Sequence, residues 1–233
     1  MKPNPFLVGL VPVLVSWLAQ GQLTEIDTYN PNLSIPDGNA TGISDSHIIS
    51  GSPLTSITGL TVDLNITGNF NGDLYFYLRH EHEITPGNFV PDGFAVLLNR
   101  VGRTLANSSG YADSGFSVSL SDSAPADIHN YQNTTTPAGG SPLTDNWQPD
   151  ARNIDPSSVL DASPRNAFLS SFDGLDANGR WTLFGADVES GGSSQVISWQ
   201  LNISAVPEPQ TWAGITALGL VGFAAWRRFR DSN

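Results

Sequence analysis

Short runs of alternating apolar and polar residues recur along the middle of the chain, and clusters of Gly, Asn, Asp, Ser and Pro separate them. In ITGLTVDLNI, residues 57–66, apolar positions recur almost every second residue, and DLYFYLRH, residues 73–80, continues the period. FAVLLNRV, GFSVSLSD, RWTLFGADV and VISWQLNI repeat it. A period of two is typical of strands that bury one face. Six such runs without helical periodicity between them predict an all-β fold, an antiparallel, jelly-roll-like β-sandwich or a barrel.

Turn-forming residues mark the ends of several runs. Asn71-Gly72-Asp73 lies between two strand-like runs, and Asn-Gly pairs suit short hairpins because both positions accept a positive φ. We therefore predict a hairpin there and a second tight turn at Asn178-Gly179. Between residues 121 and 165 prolines and glycines become frequent, which predicts a long irregular loop, either functional or mobile. The strands after it are too few for a second core, so one domain is predicted.

The N-terminal 21 residues do not follow the strand pattern. Lys2 precedes an apolar stretch from Phe6 to Leu18, and Ala19-Gln20-Gly21 supplies small residues for cleavage. This order predicts a secretory signal peptide over residues 1–21, and therefore export of the rest of the chain.

The domain that remains, residues 22–206, is strongly acidic. It contains six arginines against twenty aspartates and glutamates, a net charge of −14. The negative electrostatic potential of such a domain repels phosphate backbones, which excludes nucleic acid as a partner. The same charge favours binding of hard cations, or simply keeps the domain soluble outside the cell. The chain has no cysteine, which excludes thiol nucleophiles, thiolate zinc sites and iron–sulfur clusters.

The C-terminus carries a second apolar segment. Residues 211–226 hold no charge, and at 1.5 Å per residue a helix of this length spans about 24 Å, slightly less than a ~30 Å hydrocarbon core. Trp212 and Trp226 stand where interfacial aromatic residues belong, and the arginines that follow can extend the span and remain on the cytoplasmic side. We predict a single transmembrane helix over residues 211–226.

The order of residues in this tail, 207–233, resembles the PEP-CTERM sorting signal of Gram-negative bacteria. The matching residues are the motif Pro207, Glu208 and Pro209 and the basic end Arg227, Arg228 and Arg230. The resemblance implies a transient membrane anchor that an exosortase-type enzyme cuts near the motif. It also implies delivery to the cell surface or the extracellular matrix. A permanent single-pass anchor is the alternative.

Residues 57–203 resemble a P domain (P/Homo B domain), the β-sandwich that follows the protease domain of proprotein convertases and subtilisin-like proteases. The matching stretches are ITGLTVDLNITGNFNGDLYFYL, VLLNRVG and FLSSFDGLDANGRWTLFGADVESGGSSQVISWQLNI, with SIPDGNATGIS as the lead-in. The resemblance implies one β-sandwich over residues 22–206. RHEHEITPGNFVPDGF departs from the family and is predicted as a longer loop. In the last matching stretch, Trp181 and Trp199 have apolar neighbours two residues away, which predicts that both are core anchors.

The histidines do not indicate catalysis. A Ser-His-Asp triad needs a histidine between a serine and a carboxylate, and no nucleophile elbow accompanies the four histidines. The chain is also too short to hold a subtilase domain beside the P-domain-like region, so we expect no enzymatic activity. In RHEHE, residues 79–83, His80 and His82 share one face of a strand and could approach a metal together. The sequence favours the alternative, a polar strand end that turns into an exposed loop.

The acidic loops could bind calcium, and the sequence indicates no other cofactor. Carboxylates beside strands could form an oxygen shell, although aspartates in turns also cap their own backbone. The candidate ligands are Asp73, Asp173, Asp176 and Asp187, with Glu189 and Asn178 nearby.

Three functions remain open. The first is an exported, non-enzymatic surface or matrix protein whose P-domain-like sandwich is a binding or structural module. The second is an accessory role beside a separate subtilisin-like serine protease. The third is a carbohydrate-binding module that holds the exopolysaccharide, for which exposed aromatic residues should line one patch. The candidates for that patch are Tyr75, Tyr77, Tyr111 and Tyr131.

Overall fold

The computed structural model describes residues 22–205, and nearly all of their regular structure is strand. Within this range three short 3-10 helices, Asn71–Asp73, Ile128–Asn133 and Leu169–Phe172, are the helical elements. The predicted all-β class is confirmed. The ten strands are β1 Leu23–Tyr29, β2 Leu33–Ile35, β3 Asn39–Ile49, β4 Ile57–Thr67, β5 Leu74–Thr85, β6 Asn88–Asn99, β7 Phe116–Leu120, β8 Asn146–Trp147, β9 Gly179–Asp187 and β10 Ser194–Ala205.

The strands form two sheets. The six-stranded sheet has the order β1-β10-β4-β7-β8, with β2 also paired to β10, and the four-stranded sheet has the order β3-β9-β5-β6. Every pairing between strands is antiparallel except β7 with β8. The predicted antiparallel pattern is therefore correct but for this short edge pair.

Alternate residues of each strand fill the space between the sheets. On β4, Leu60, Val62, Leu64 and Ile66 are buried while the residues between them are partly exposed. Trp181 on β9 and Trp199 on β10, the predicted core anchors, are both fully buried. Burying a ring of this size stabilises the fold by a few kcal/mol at roughly 25 cal/mol per Å².

The two indole N–H groups bind different parts of the fold. Trp181 Nε1 donates to the carbonyl of Ala177 at 2.9 Å. Trp199 Nε1 donates to Asp45 Oδ2, on the opposite sheet, at 2.8 Å. Because a buried indole N–H needs an acceptor, this second bond also fixes how the sheets face each other.

The predicted hairpin at Asn71-Gly72 is wrong. The strands on either side of it, β4 and β5, belong to different sheets, so the connection crosses from one sheet to the other. The residues form a 3-10 turn, and the residue with positive φ is Phe70, at 58°. Asn71 instead ties the crossing to the start of β7, because its side-chain Oδ1 accepts from Gly115 N at 2.6 Å and its Nδ2 donates to Gly115 O at 3.0 Å.

The loop predicted for RHEHEITPGNFVPDGF is also wrong. Strands β5 and β6 stay paired from Tyr75–Asn99 to Thr85–Asn88, with three register irregularities, and form one long hairpin. Gly87, at φ 80°, makes the turn. The alternation of burial breaks at His80 and Glu81, which are both buried, but the strand continues, and its polar side chains find partners on β6 and β9.

The long segment between β7 and β9 has little regular structure, yet buried charges hold it in place. The side chains of His129, Asp150 and Arg152 are at most 3% exposed. Asp150 Oδ2 lies 2.7 Å from His129 Nδ1, and its Oδ1 accepts from Arg152 Nη1 at 3.2 Å. Arg152 Nη2 donates to Asp127 Oδ2 at 2.8 Å. The segment is therefore built around a buried ionic network, in which Arg152 Nε has no hydrogen-bond partner among the described residues.

Backbone bonds attach this segment to the edge of the four-stranded sheet. Asp150 N donates to Leu97 O at 3.0 Å and Ala151 N to Val96 O at 2.9 Å. Val96 N donates in turn to Ala167 O at 3.0 Å. These bonds cover the outer edge of β6, which would otherwise expose unpaired backbone groups.

The predicted signal peptide (1–21), sorting tail (207–233) and membrane helix (211–226) lie outside the described residues. Within residues 22–205, no helix has the length and apolar content needed to cross a bilayer.

Candidate functional site

The outer face of the six-stranded sheet carries hydroxyl and amide side chains almost without charge. On β4, β7 and β10 these residues alternate with buried core residues, and on β1 they alternate with the partly exposed Glu25, Asp27 and Tyr29. Asp63 is the single ionisable residue among them, and Ile26 is the single large apolar one. We call this surface the polar face, and its residues are Thr24, Ile26, Thr28, Thr61, Asp63, Asn65, Ser117, Ser119, Ser198, Gln200, Asn202 and Ser204.

Side-chain hydrogen bonds cross the polar face from strand to strand. Thr28 Oγ1 donates to Gln200 Oε1 at 2.7 Å, and Gln200 Nε2 donates to Asp63 Oδ2 at 2.9 Å. Asn202 Nδ2 donates to the same oxygen at 3.2 Å, and Ser119 Oγ donates to Asp63 Oδ1. The chain of bonds spans β1, β10, β4 and β7. The donors and acceptors of this face are therefore held in fixed positions before any ligand arrives.

A groove of about 390 Å³ lies at one end of the polar face. Thr58, Gly59 and Thr61 of β4 line it together with residues of β10 and of two loops. A side-chain Cβ built at Gly59 meets no atom within 4 Å, so the groove is open above this residue. The other lining residues are Gln22, Leu60, Ser121, Asp122, Ser123, Leu169, Ser170, Asp173, Asn202 and Ser204.

Two carboxylates close the loop side of the groove. Asp122 accepts hydrogen bonds from Leu169 N at 3.1 Å and Ser170 N at 2.7 Å, which caps the 3-10 helix Leu169–Phe172. Partial burial raises the pKa of Asp173, and the charge of Asp122 raises it further. The groove thus combines acceptors, hydroxyl donors and the two amides of Gln22 and Asn202 in one concave surface, and its lining contains no basic residue.

A second concave site surrounds Arg100, where the loops after β4, β6 and β9 meet. We call it the Arg100 cleft; its volume is about 360 Å³ and its lining is Phe70, Asp73, Arg100, Arg103, Ser108, Ser109, Glu189, Ser190 and Gly191. Arg100 is buried, with φ 49°. Its Nη1 donates to Glu189 Oε1 at 2.7 Å and its Nε to Gly72 O at 3.0 Å, while Nη2 lies 3.7 Å from Asp73 Oδ1.

Carboxylates crowd around this arginine. Burial raises the pKa of Asp187 to about 6, and the charges of Asp73 and Asp37 add to the effect while Arg100 opposes it. Burial also raises the pKa of Asp73, against the lowering effect of Arg100. Asp187 Oδ1 is buried and has no hydrogen-bond partner among the described residues. One guanidinium therefore does not satisfy all the carboxylates packed near it.

The four aspartates predicted to bind calcium fall in three places. Asp73 and Asp187 meet beside Arg100, with Glu189 close by, whereas Asp173 lies in the groove and Asp176 binds Asn178 Nδ2 at 2.6 Å. Within residues 22–205 no three His, Asp or Glu side chains are arranged to hold a metal ion. Calcium binding stays a prediction. If excess chelator leaves the melting temperature of the chain unchanged, the prediction is wrong.

His80 and His82 reach the same carboxylate, as the alternation of a strand predicts. His80 Nδ1 lies 2.7 Å from Asp92 Oδ1, and His82 Nδ1 lies 2.8 Å from Asp92 Oδ2. Sequence reasoning missed Asp92, which β6 places opposite them. His80 is fully buried and packs on Trp181 at 4.5 Å between ring centroids, while the side chain of His82 is 45% exposed. Gly179 is required there, because a Cβ at φ 150° would lie 2.4 Å from His80 Nε2.

The four tyrosines proposed as one aromatic patch form two separate groups. Tyr75 and Tyr77 lie on the outer face of the four-stranded sheet, where Tyr77 stacks on Phe184 at 4.7 Å. Tyr111 and Tyr131 pack edge to face at 4.7 Å near the Asn71–Asp73 turn. Tyr131 is fully buried and donates to Asp113 Oδ2 at 2.6 Å, so it belongs to the core.

Comparison with known proteins identifies no family. No protein-family model and no curated protein matches the chain. Among solved structures, the chain is similar to one in the complex of Aeromonas sobria serine protease (ASP) with the chaperone ORF2. The identity is 13% and the TM-score 0.41, over 81% of this chain and 28% of that chain. This chain therefore spans little more than a quarter of that one.

Proposed function

We propose that this chain is an exported, non-catalytic module of the cell surface or extracellular matrix that binds a neutral polysaccharide. The observation that carries the proposal is the polar face with its groove. Sugars present many hydroxyl groups at fixed spacing, and each can donate and accept a hydrogen bond. A surface of fixed hydroxyls, amides and carboxylates offers matching partners, and prior ordering of its side chains reduces the entropy cost of binding.

The charge of the domain supports a neutral ligand over an acidic one. Residues 22–206 carry a net charge of −14, and the lining of the groove contains two carboxylates and no basic residue. A polymer of uronic acids or sulfated sugars would meet electrostatic repulsion both on approach and in contact. The volume of the groove, about 390 Å³, is within the range of small-ligand sites.

A bulky residue at Gly59 tests the binding site. We expect Gly59→Phe to fill the groove and weaken binding of the organism's own purified polysaccharide at least tenfold, about 1.4 kcal/mol. The fold should tolerate the change, because a Cβ at this position meets nothing. Affinity electrophoresis in gels that contain the polysaccharide measures the effect.

Gly139→Phe is the matched control, because a Cβ there also meets no atom within 4 Å and the residue lies outside the groove. It should migrate with the unmodified chain. Equal retardation of both variants and the unmodified chain would place the ligand elsewhere. No retardation of any of them would remove polysaccharide binding itself.

Export and sorting form the second part of the proposal, and they rest on the two ends of the sequence. The signal peptide over residues 1–21 would direct translocation, and the PEP-CTERM-like tail would hold the domain at the inner membrane until an exosortase-type enzyme cuts it. We expect a periplasm-dependent reporter fused after Asn233 to be inactive, because the arginines keep that end in the cytoplasm. An active reporter would contradict this topology.

An accessory role beside a separate subtilisin-like protease is the second candidate. It is supported by the resemblance of residues 57–203 to a P domain, together with the two-sheet β-structure over that range. In this case the chain should co-purify with a serine protease and raise its melting temperature, and Gly59→Phe should have no effect on either result.

A further inference from the structure

We infer that Asp173 makes the groove selective for sugars that present two free hydroxyl groups on neighbouring carbon atoms. The inference rests on the proposed function, because it assigns a ligand contact within the same groove. Asp173 lines the groove, and no described residue donates a hydrogen bond to either of its carboxylate oxygens. Both oxygens are therefore open to a ligand.

The other polar groups that could accept from a sugar are largely in use. Asp122 accepts a backbone hydrogen bond on each of its two oxygens. The side-chain amide of Asn202 donates to Asp63 Oδ2 at 3.2 Å and accepts from Gln200 Nε2 at 3.1 Å. Of the two carboxylates in the groove, that of Asp173 is therefore the one left to meet a ligand.

Backbone hydrogen bonds hold Asp173 in place on both sides. Its own N donates to Ser170 O at 3.2 Å, and the N of Gly174 donates to Ile57 O at 2.8 Å. The second bond ties this loop to the first residue of β4. Because the backbone is fixed before binding, less entropy is lost when the carboxylate meets a ligand.

The chemistry of a carboxylate explains the selectivity. An ionised carboxyl group has two oxygens and only accepts hydrogen bonds. Two hydroxyl groups on neighbouring carbons can each donate to one oxygen, whereas an isolated hydroxyl makes a single bond. Hydrogen bonds to a charged group are roughly twice as strong as those between neutral groups. Partial burial and the charge of Asp122 raise the pKa of Asp173, so donated hydrogen bonds would supply stabilisation that its surroundings lack.

Three hydroxyl side chains can complete the contact with the ligand. Thr61, Ser170 and Ser204 line the same groove, and no described residue binds their side-chain oxygens. Each hydroxyl can donate as well as accept. A sugar hydroxyl that donates to Asp173 can therefore accept from a neighbouring side chain.

The organism's own purified polysaccharide, before and after periodate oxidation and borohydride reduction, tests the inference. Periodate breaks the bond between two carbons that carry free hydroxyls, and reduction removes the aldehydes that result. In affinity electrophoresis we expect the unmodified chain to bind the treated polymer at least tenfold more weakly. Equal affinity for both polymers would overturn this inference and leave polysaccharide binding intact. No retardation by the untreated polymer would overturn both.

Asp173→Asn tests the residue itself, since the amide keeps the shape of the side chain but loses one acceptor and the charge. The variant should fold normally, because Asp173 is exposed. We expect it to bind the untreated polymer at least tenfold more weakly and no longer to distinguish the two polymers. Asp161→Asn removes the same charge at an exposed site outside the groove and should behave as the unmodified chain. If Asp173→Asn kept the full preference for the untreated polymer, the inference would be wrong.

Discussion

Replacing Asp150 by alanine is expected to lower the free energy of unfolding by about 3–5 kcal/mol, the cost of removing one partner of a buried ion pair. Asp150 contacts His129 Nδ1 at 2.7 Å and Arg152 Nη1 at 3.2 Å, and it accepts from the backbone N of Asn99 at 3.2 Å. Its side chain and that of His129 are fully buried. The substitution therefore leaves the imidazole of His129 and the amide of Asn99 without this acceptor in the protein interior, and it leaves Arg152 with Asp127 as its one remaining carboxylate partner among the described residues.

Thermal unfolding measures this effect. For a domain of this size, a loss of that magnitude lowers the melting temperature by roughly 10 °C. Asp161→Ala is the matched control, because Asp161 is an exposed aspartate of the same segment, and it should stay within about 0.5 kcal/mol of the unmodified chain. If Asp150→Ala cost no more than Asp161→Ala, the segment between β7 and β9 would not depend on this network.

Replacing Asp187 by asparagine is expected to stabilise the protein above pH 6, by about 1–3 kcal/mol. Burial raises the pKa of this carboxyl from 3.8 to about 6, and the nearby charges of Asp73 and Asp37 contribute. The folded state therefore binds its proton more tightly than the unfolded state does. The stability that this proton supplies is complete below pH 3.8 and is lost as pH rises through 6. Asparagine keeps the shape of the side chain without the charge.

The pH profile distinguishes this explanation from a general change in packing. The difference in unfolding free energy between Asp187→Asn and the unmodified chain should be small near pH 4, grow to pH 6 and level off above it. Urea unfolding at several pH values measures it. Glu83→Gln, at an exposed site, should follow the unmodified chain throughout. A gain that is equal at pH 4 and pH 7.5 would contradict the assigned titration.

The strands could be predicted from sequence because each follows from local alternation. The period of two in residues 57–66 and 73–80 is a property of neighbouring residues, and β5 continues beyond it to Thr85. The hairpin at Asn71-Gly72 failed because the same residues suit a crossing between sheets, and only the pairing of β4 with β10 and of β5 with β9 decides between the two. Turn chemistry alone carries no information on that choice.

The site residues were harder to predict because their partners are distant in the chain. Asp73 and Asp187 meet because β5 pairs with β9, and Asp92 reaches His80 across the hairpin. No local pattern indicates that Arg100 lies among the carboxylates or that Asp63 links Gln200 to Ser119. One signal was present: Thr, Ser, Asn and Gln occupy the outward positions of β4, β7 and β10, where a simple solvated strand would also carry lysine or glutamate.

The most direct test of the polysaccharide-binding proposal is to map the bound ligand on the protein. Oligosaccharides prepared from the organism's own matrix would be titrated into the isotope-labelled chain while backbone amide shifts are followed by NMR. We predict shifts in β4, β7 and β10 around Thr61, Asp63 and Asn202, with β3 and β5 unchanged. Shifts confined to the four-stranded sheet, or none at saturating ligand, would contradict the account.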